Sequence, residues 1–160
     1  MTPEEFTQYA AQYGDTVYRV ALSACKCPAD AEDVMQAVLL KLYQEKNGFE
    51  SEEHLRRWLI RVAVNQSRKL TRSAWWRKRA PLEEWSAVGE FQAPEESGLF
   101  LAVSALPEKY RTPLYLCYYE GYSVKETAAL CGLKESTAQT RLQRAREKLK
   151  RMLAEQEEEP

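Results

Sequence analysis

The apolar positions near the start of the chain recur every three or four places, the period of a helix that buries one face. Phe6, Ala10, Tyr13, Val17, Val20 and Ala24 form one such series, opened by Thr2-Pro3-Glu4-Glu5. Thr2 suits an N-cap, Pro3 the first helical position, and Glu5 the returning half of a capping box. The series stops at Cys27-Pro28. A second, with Ala31, Val34, Met35, Val38, Leu42 and Tyr43 inward, starts at Asp30 and breaks at Asn47-Gly48. A third begins at Ser51, where Glu52 and Glu53 favour the positive end of the helix dipole. Leu55, Trp58, Leu59, Val62, Gln66 and Leu70 mark its inward side. Arg57, Arg61, Asn65, Arg68 and Arg72 run along the opposite side in steps of three or four. Like charges on neighbouring turns repel by roughly 0.2–0.5 kcal/mol per pair, so an anionic partner explains this stripe better than stability does.

Periodicity fades between Pro81 and Gly98, a stretch with two prolines, two glycines and five glutamates that reads as a linker. It resumes over Leu99–Leu106, and Pro107 opens a helix carrying Tyr110, Leu114, Leu116, Cys117 and Tyr118. Pro113 lies inside that helix and predicts a kink or a restart. Glu120-Gly121 ends it. Ser123, with Glu126 three places on, caps a short helix from Val124 to Leu130; Gly132 is a left-handed stop, and a new helix runs on from Glu135 or Ser136. No segment alternates as a strand would. The expected fold is all-α, with two small helical domains at 1–79 and 99–154, an acidic linker at 80–98 and an acidic tail at 155–160.

A short capped helix, a glycine-containing turn and a longer helix form the helix-turn-helix layout. Ala128 is small where the two helices approach most closely, and Leu133, Ala138 and Leu142 fill the seam. Ser136, Gln139, Thr140, Gln143 and Arg144 point away from it, with Arg141 nearer the rim. Side chains of these types hydrogen-bond base edges and phosphates in a major groove that admits one helix.

Charge sharpens this picture. The 160-residue chain has a net charge of only −1, but the signs come in blocks. Arg56 to Arg79 holds nine bases and no acid, Ala80 to Gly98 five acids and no base, and Lys134 to Arg151 seven bases against two acids. Two basic surfaces on separate helices point to nucleic acid. The four cysteines, Cys25, Cys27, Cys117 and Cys131, show no metal-binding spacing. Cys25-Lys26-Cys27 is one residue too tight for a zinc pair, even with His54 as a third ligand. Reduced, mostly buried thiols are expected, with no metal and no cofactor. One histidine, no Gly-rich phosphate loop and no paired-carboxylate pattern argue against an enzyme. MTPEEF lacks a secretory pattern and no apolar run approaches a membrane span, so a cytoplasmic protein without membrane insertion is expected.

Three stretches carry a resemblance: "DAEDVMQAVLLKLYQ" (Asp30–Gln44), "LRRWLIRVAVNQSRKLTR" (Leu55–Arg72) and "ALPEKYRTPLYLCYYEGYSVKETAALCGLKESTAQTRLQRAREKL" (Ala105–Leu149). In this order they resemble the extracytoplasmic-function (ECF) sigma factors of bacterial RNA polymerase, in the sigma-70 family. The resemblance implies a promoter-specificity factor that joins core RNA polymerase, reads −35 duplex DNA and opens the −10 strand. It assigns core binding, on the clamp helices of the largest subunit, to Asp33, Gln36, Leu39 and Leu40, and a further contact on the polymerase flap to the second domain. It places Asn47, Gly48, Phe49 and Glu50 in a loop that holds a flipped-out −10 base. Arg56, Arg57, Arg61, Asn65, Arg68, Lys69 and Arg72 would hold the opened strand, as basic tracks with nearby aromatics do. Trp75 and Trp76, beside Arg77-Lys78-Arg79, would stack bases or cover the domain edge. Ser136, Thr137, Gln139, Thr140, Arg141, Gln143 and Arg144 would meet the −35 element. The acidic linker would thread the polymerase's active-site cleft and RNA exit channel, and a separate anti-sigma protein would regulate the chain. Thr127 and Ala138 stand where the family usually has branched aliphatics, which implies a looser helix pair, and Gln139 where it often has a base. The alternative is a stand-alone helix-turn-helix regulator with a sensing or dimerising first domain, distinguished by a dimer and a palindromic site.

Overall fold

The computed structural model describes residues 1–73 and 102–158. The proposed linker, Trp75, Trp76 and the Arg77–Arg79 cluster lie outside the described residues. The chain divides into two compact units, Met1–Trp85 and Ser86–Pro160. Each is helical, and no strand occurs among the described residues. The all-α, two-domain expectation holds.

The first unit packs three helices: α1 (Pro3–Cys25), α2 (Pro28–Gln44) and α3 (Glu52–Arg72). Thr2 and Glu5 form the reciprocal capping box read from the sequence, with both bonds at 3.1 Å. The first helix stops at Cys25, just before Cys27-Pro28, and α2 starts at Pro28, two residues ahead of Asp30, where a missing N–H costs nothing. The reversal between α1 and α2 is made by Lys26, whose φ of 62° is left-handed and whose N–H reaches the Leu22 carbonyl at 3.0 Å. Val17, Val20, Ala21 and Ala24 of α1 meet Ala31, Val34, Val38 and Leu42 of α2 and Leu55, Leu59, Ile60, Ala63 and Val64 of α3. Burying each Leu or Ile of this set contributes about 1.5–3 kcal/mol.

Two inward assignments are corrected. Tyr43 is exposed, its ring edge-on to Phe6 at 5.3 Å, because it lies about 100° around α2 from the buried Leu42. On α3 the fully buried residues are Leu55, Leu59, Ile60, Ala63, Val64 and Ser67, whereas Trp58, Val62, Gln66 and Leu70 are half-buried. The helix is rotated so that small Ala63 and Ser67 face the close contacts and bulky Trp58 sits at the margin.

The second unit contains α4 (Glu108–Tyr118), α5 (Val124–Cys131) and α6 (Glu135–Glu158), preceded by a helical turn at 102–105. Pro113 neither ends nor restarts α4, which is one helix with Pro113 buried inside it. Burial of the ring compensates for the lost hydrogen bond. Ser123 and Glu126 complete the second capping box. Gly132, at φ 66°, turns the chain so that the Leu133 N–H closes on the Ala128 carbonyl at 2.8 Å, a reversal that any side chain at Gly132 would strain. Leu106, Tyr110, Leu114, Leu142 and Ala145 form the centre, flanked by Val103, Cys117, Val124, Leu149 and Met152. α6 runs on to Glu158, into the acidic segment.

Thr127 and Ala138 are both fully buried in the α5–α6 seam, and the Thr127 Oγ1 has no hydrogen-bond partner among the described residues. A buried hydroxyl left unpaired costs about 1–3 kcal/mol. Thr127→Val keeps the branched shape and removes the unpaired oxygen. It is expected to raise the melting temperature of this unit by roughly 4–8 °C, the shift that about 1 kcal/mol gives a domain of this size. Calorimetry reads this directly, and a lowered transition would show that the seam cannot accept the second methyl.

Candidate nucleic-acid interface

On α3 the five stripe residues are placed by helix rotation alone. At 100° per residue, Arg57, Arg61, Asn65, Arg68 and Arg72 span about 80°, centred opposite the buried side. Arg57, Arg61, Asn65 and Arg72 are exposed, as is Lys69, while Arg56 and Arg68 are half-buried. Arg57 pairs with Glu53 one turn earlier at 3.0 Å, both about half-exposed. An exposed pair of this kind is worth little, so Arg57 is easily given up to a phosphate.

The loop between α2 and α3 is held to the start of α3. Ser51 accepts the His54 N–H at 3.0 Å, and the Glu50 N–H donates to His54 Nδ1 at 3.0 Å. Phe49, half-buried, lies edge-on to His54 and to Trp58, each at 5.4 Å. Asn47 is exposed, and its N–H meets the Glu45 carboxylate at 3.2 Å. The loop, Glu5 and Tyr9 of α1, and Glu52 and Leu55 of α3 enclose a cavity of about 380 Å³. This is ample for one planar base, and carboxylates and backbone groups line it. In the same unit, burial pushes the Tyr13 phenol upward, with the Glu52 carboxylate adding to the effect and Arg56 opposing it, and its hydroxyl accepts from the Gln12 amide at 3.3 Å.

On α2, Asp33, Gln36 and Leu40 are exposed along one face and Leu39 is half-buried beside them. Leu40 is 57% and Tyr43 55% accessible, which continues that face as an apolar strip. Tyr43 was missed because its spacing also fits the inward series.

On α6, Ser136, Gln139, Thr140, Gln143 and Arg144 are exposed, turned away from Ala138, Leu142 and Ala145, and Thr137 and Arg141 are half-buried at the rim. Thr140 ties its hydroxyl to the Ser136 carbonyl at 3.0 Å. Ser136, Thr137, Thr140, Arg141 and Arg144 share a concave surface of about 350 Å³ with Lys109 and Tyr110 of α4. Three cations and four hydroxyls, the Tyr110 phenol among them, around a shallow hollow suit phosphate. Lys109 was not singled out from the sequence, because nothing in its local spacing shows that the start of α4 lies beside the start of α6.

Residues 10–77 match the Sigma-70 region 2 family model and residues 99–149 the Sigma-70, region 4 model. The chain belongs to the sigma-70 family. Within it, this is an RNA polymerase sigma factor of the ECF type, acting in transcription initiation. It is 29% identical over 150 residues to the ECF RNA polymerase sigma factor SigM of Mycobacterium tuberculosis, covering 92% of this chain and 76% of that one. It is 29% identical over 157 residues to the RNA polymerase sigma-E factor of Streptomyces coelicolor, covering 93% and 86%. Among solved structures, the sigma factor RpoE of Bartonella quintana, crystallised with the anti-sigma factor NepR, shares the fold. The TM-score is 0.73 at 22% identity over 94% of this chain and 98% of that one. CnrH, in complex with the cytosolic domain of CnrY, gives a TM-score of 0.67 at 25% identity over 96% and 90%. In this sigma factor the region 2 match contains the α3 stripe and the α2–α3 loop, and the region 4 match contains the helix-turn-helix. Cys25, Cys27 and Cys131 are buried and Cys117 half-buried, all as free thiols. Among the described residues no helix is long and apolar enough to cross a membrane, and no cluster of three metal-ligating side chains occurs.

Proposed function

We propose a division of labour among the faces of this sigma factor. The α2 face, Asp33, Gln36, Leu39 and Leu40 extended by Tyr43, docks on the clamp helices of core RNA polymerase, and the second unit reaches the flap. Asn47 and Phe49, with the loop that carries them, take a flipped-out base of the −10 element in the adjoining cavity. Arg56, Arg57, Arg61, Asn65, Arg68, Lys69 and Arg72 hold the opened strand. Ser136, Thr137, Gln139, Thr140, Gln143 and Arg144 read or grip the −35 duplex, with Arg141 and Lys109 on phosphate. The acidic segment 80–98 joins domains at 1–79 and 99–154 and passes through the polymerase cleft. The protein works in the bacterial cytoplasm, has no catalytic chemistry of its own, and is held in check by an anti-sigma partner. That last assignment draws support from the two structural relatives, one crystallised with the anti-sigma factor NepR and the other in complex with the cytosolic domain of CnrY.

The observation that carries this reading is the cationic stripe of α3, set opposite a complete core, with Arg61, Asn65 and Arg72 exposed and no acidic residue in the helix beyond its first turn. The test is run-off transcription. Purified chain plus core polymerase is expected to give promoter-specific transcripts, while the chain alone binds promoter DNA poorly. Tight, site-specific binding by the free chain to a palindrome, without any gain on adding core enzyme, would replace this account with that of a stand-alone regulator.

A further inference from the structure

His54 is the chain's only histidine. It is exposed, and its Nδ1 accepts the Glu50 amide proton at 3.0 Å, which places its own proton on Nε2. Its ring edge also meets Phe49, which in turn meets Trp58. The two contacts fasten the second half of the 45–51 loop, whose first half carries Asn47 and lines the cavity. An imidazole that gains a proton has two donors and no acceptor, so Nδ1–H would then face the Glu50 N–H and the tie would open. The charged and titratable groups about this corner are Glu45, Lys46 and Glu50 in the loop. On α3 there are Glu52, Glu53 and Arg57, the last two paired, and across the cavity on α1 there are Glu5 and Tyr9.

We infer that His54 is a positioning residue for the −10 loop: its unprotonated Nδ1 fixes the Glu50 amide and holds the loop in the shape that receives DNA. Strand opening therefore weakens when the imidazole takes up a proton. This rests on the reading that the loop meets the −10 strand. It assigns a role to a side chain that contacts no base itself.

The single imidazole gives one unambiguous NMR titration in the full-length chain. The Glu50 amide is expected to lose hydrogen-exchange protection, corrected for intrinsic rate, by roughly fivefold as that imidazole titrates, the weight of one ordinary net hydrogen bond. His54→Asn offers an acceptor oxygen that cannot titrate, and should keep the protection across the range. His54→Phe keeps an aromatic edge for Phe49 without an acceptor, and should lack the protection at every pH. With core polymerase, opening is followed by 2-aminopurine fluorescence in the −10 element. It should fall with pH more steeply for the native chain than for His54→Asn, by a similar factor, while core association stays level. Equal protection in the native chain and His54→Phe overturns the inference, as does an identical pH profile of opening in the native chain and His54→Asn. Failure of the underlying reading looks different: the protection pattern appears as expected, yet opening is indifferent to Asn47→Ala and to His54→Phe, which overturns the claimed effect on opening.

Discussion

Replacing Arg61 and Arg72 together with glutamine is expected to reduce promoter opening by the holoenzyme about a hundredfold while leaving fold and core association unchanged. Both side chains are exposed on the outer side of α3, and neither has an ion pair among the described residues. Their loss should therefore cost the fold less than about 0.5 kcal/mol. In contact with an opened strand, each forms a charge-assisted bond worth roughly 1.5–3 kcal/mol, so even at the weak end of that range the pair accounts for about two orders of magnitude. Salt dependence supplies an independent readout. Each phosphate contact on a single strand contributes about 0.7 to the slope of log affinity against log salt, so the double variant should flatten it by roughly 1.4. Unchanged opening with an unchanged slope would mean that the stripe meets only solvent. Loss of core association instead would show that α3, and not α2, carries the polymerase contact.

Leu142→Ala should have the largest effect on stability. Leu142 is fully buried at the meeting of Leu106, Tyr110, Leu114 and Ala145. Truncating a leucine in such a place costs about 2–5 kcal/mol. A unit this small has a total stability near the low end of about 5–15 kcal/mol, so the helix-turn-helix should keep only about 0–3 kcal/mol and melt at a markedly lower temperature. The first unit has its own buried set on α1, α2 and α3 and should keep its native amide spectrum. Promoters that depend on the −35 element should then lose transcription. One cooperative collapse of both units would show that they fold as one.

Much of this could be read from the sequence because the signals are local. Both capping boxes lie within four consecutive residues, and the Gly132 reversal needs a conformation that few residues other than glycine adopt readily. The arginine stripe follows from helical spacing alone. What escaped depends on neighbours distant in the chain. Tyr43 has the apolar character of a core residue, yet it meets Phe6 near the start of α1 at a margin that leaves it exposed. Trp58 looks like the strongest core residue of α3, yet small Ala63 and Ser67 let α1 and α2 come close on a face turned away from it. Pro113 breaks helices in isolation and is tolerated where its ring is buried. Lys109 joins the α6 residues only through the packing of α4, and the tie between Glu50 and His54 depends on the exact path of a loop.

The hollow shared by Lys109, Arg141 and Arg144 lies to one side of the exposed Gln139 and Gln143. If the second unit grips duplex as proposed, anchoring and discrimination fall to different side chains, and the two glutamines, being exposed, take no part in the buried seam. On the proposed reading, substitutions at those two positions should redirect the protein toward a different set of genes while its hold on the duplex survives. Regulons served by such a factor can drift one base at a time, without passing through a form that no longer binds.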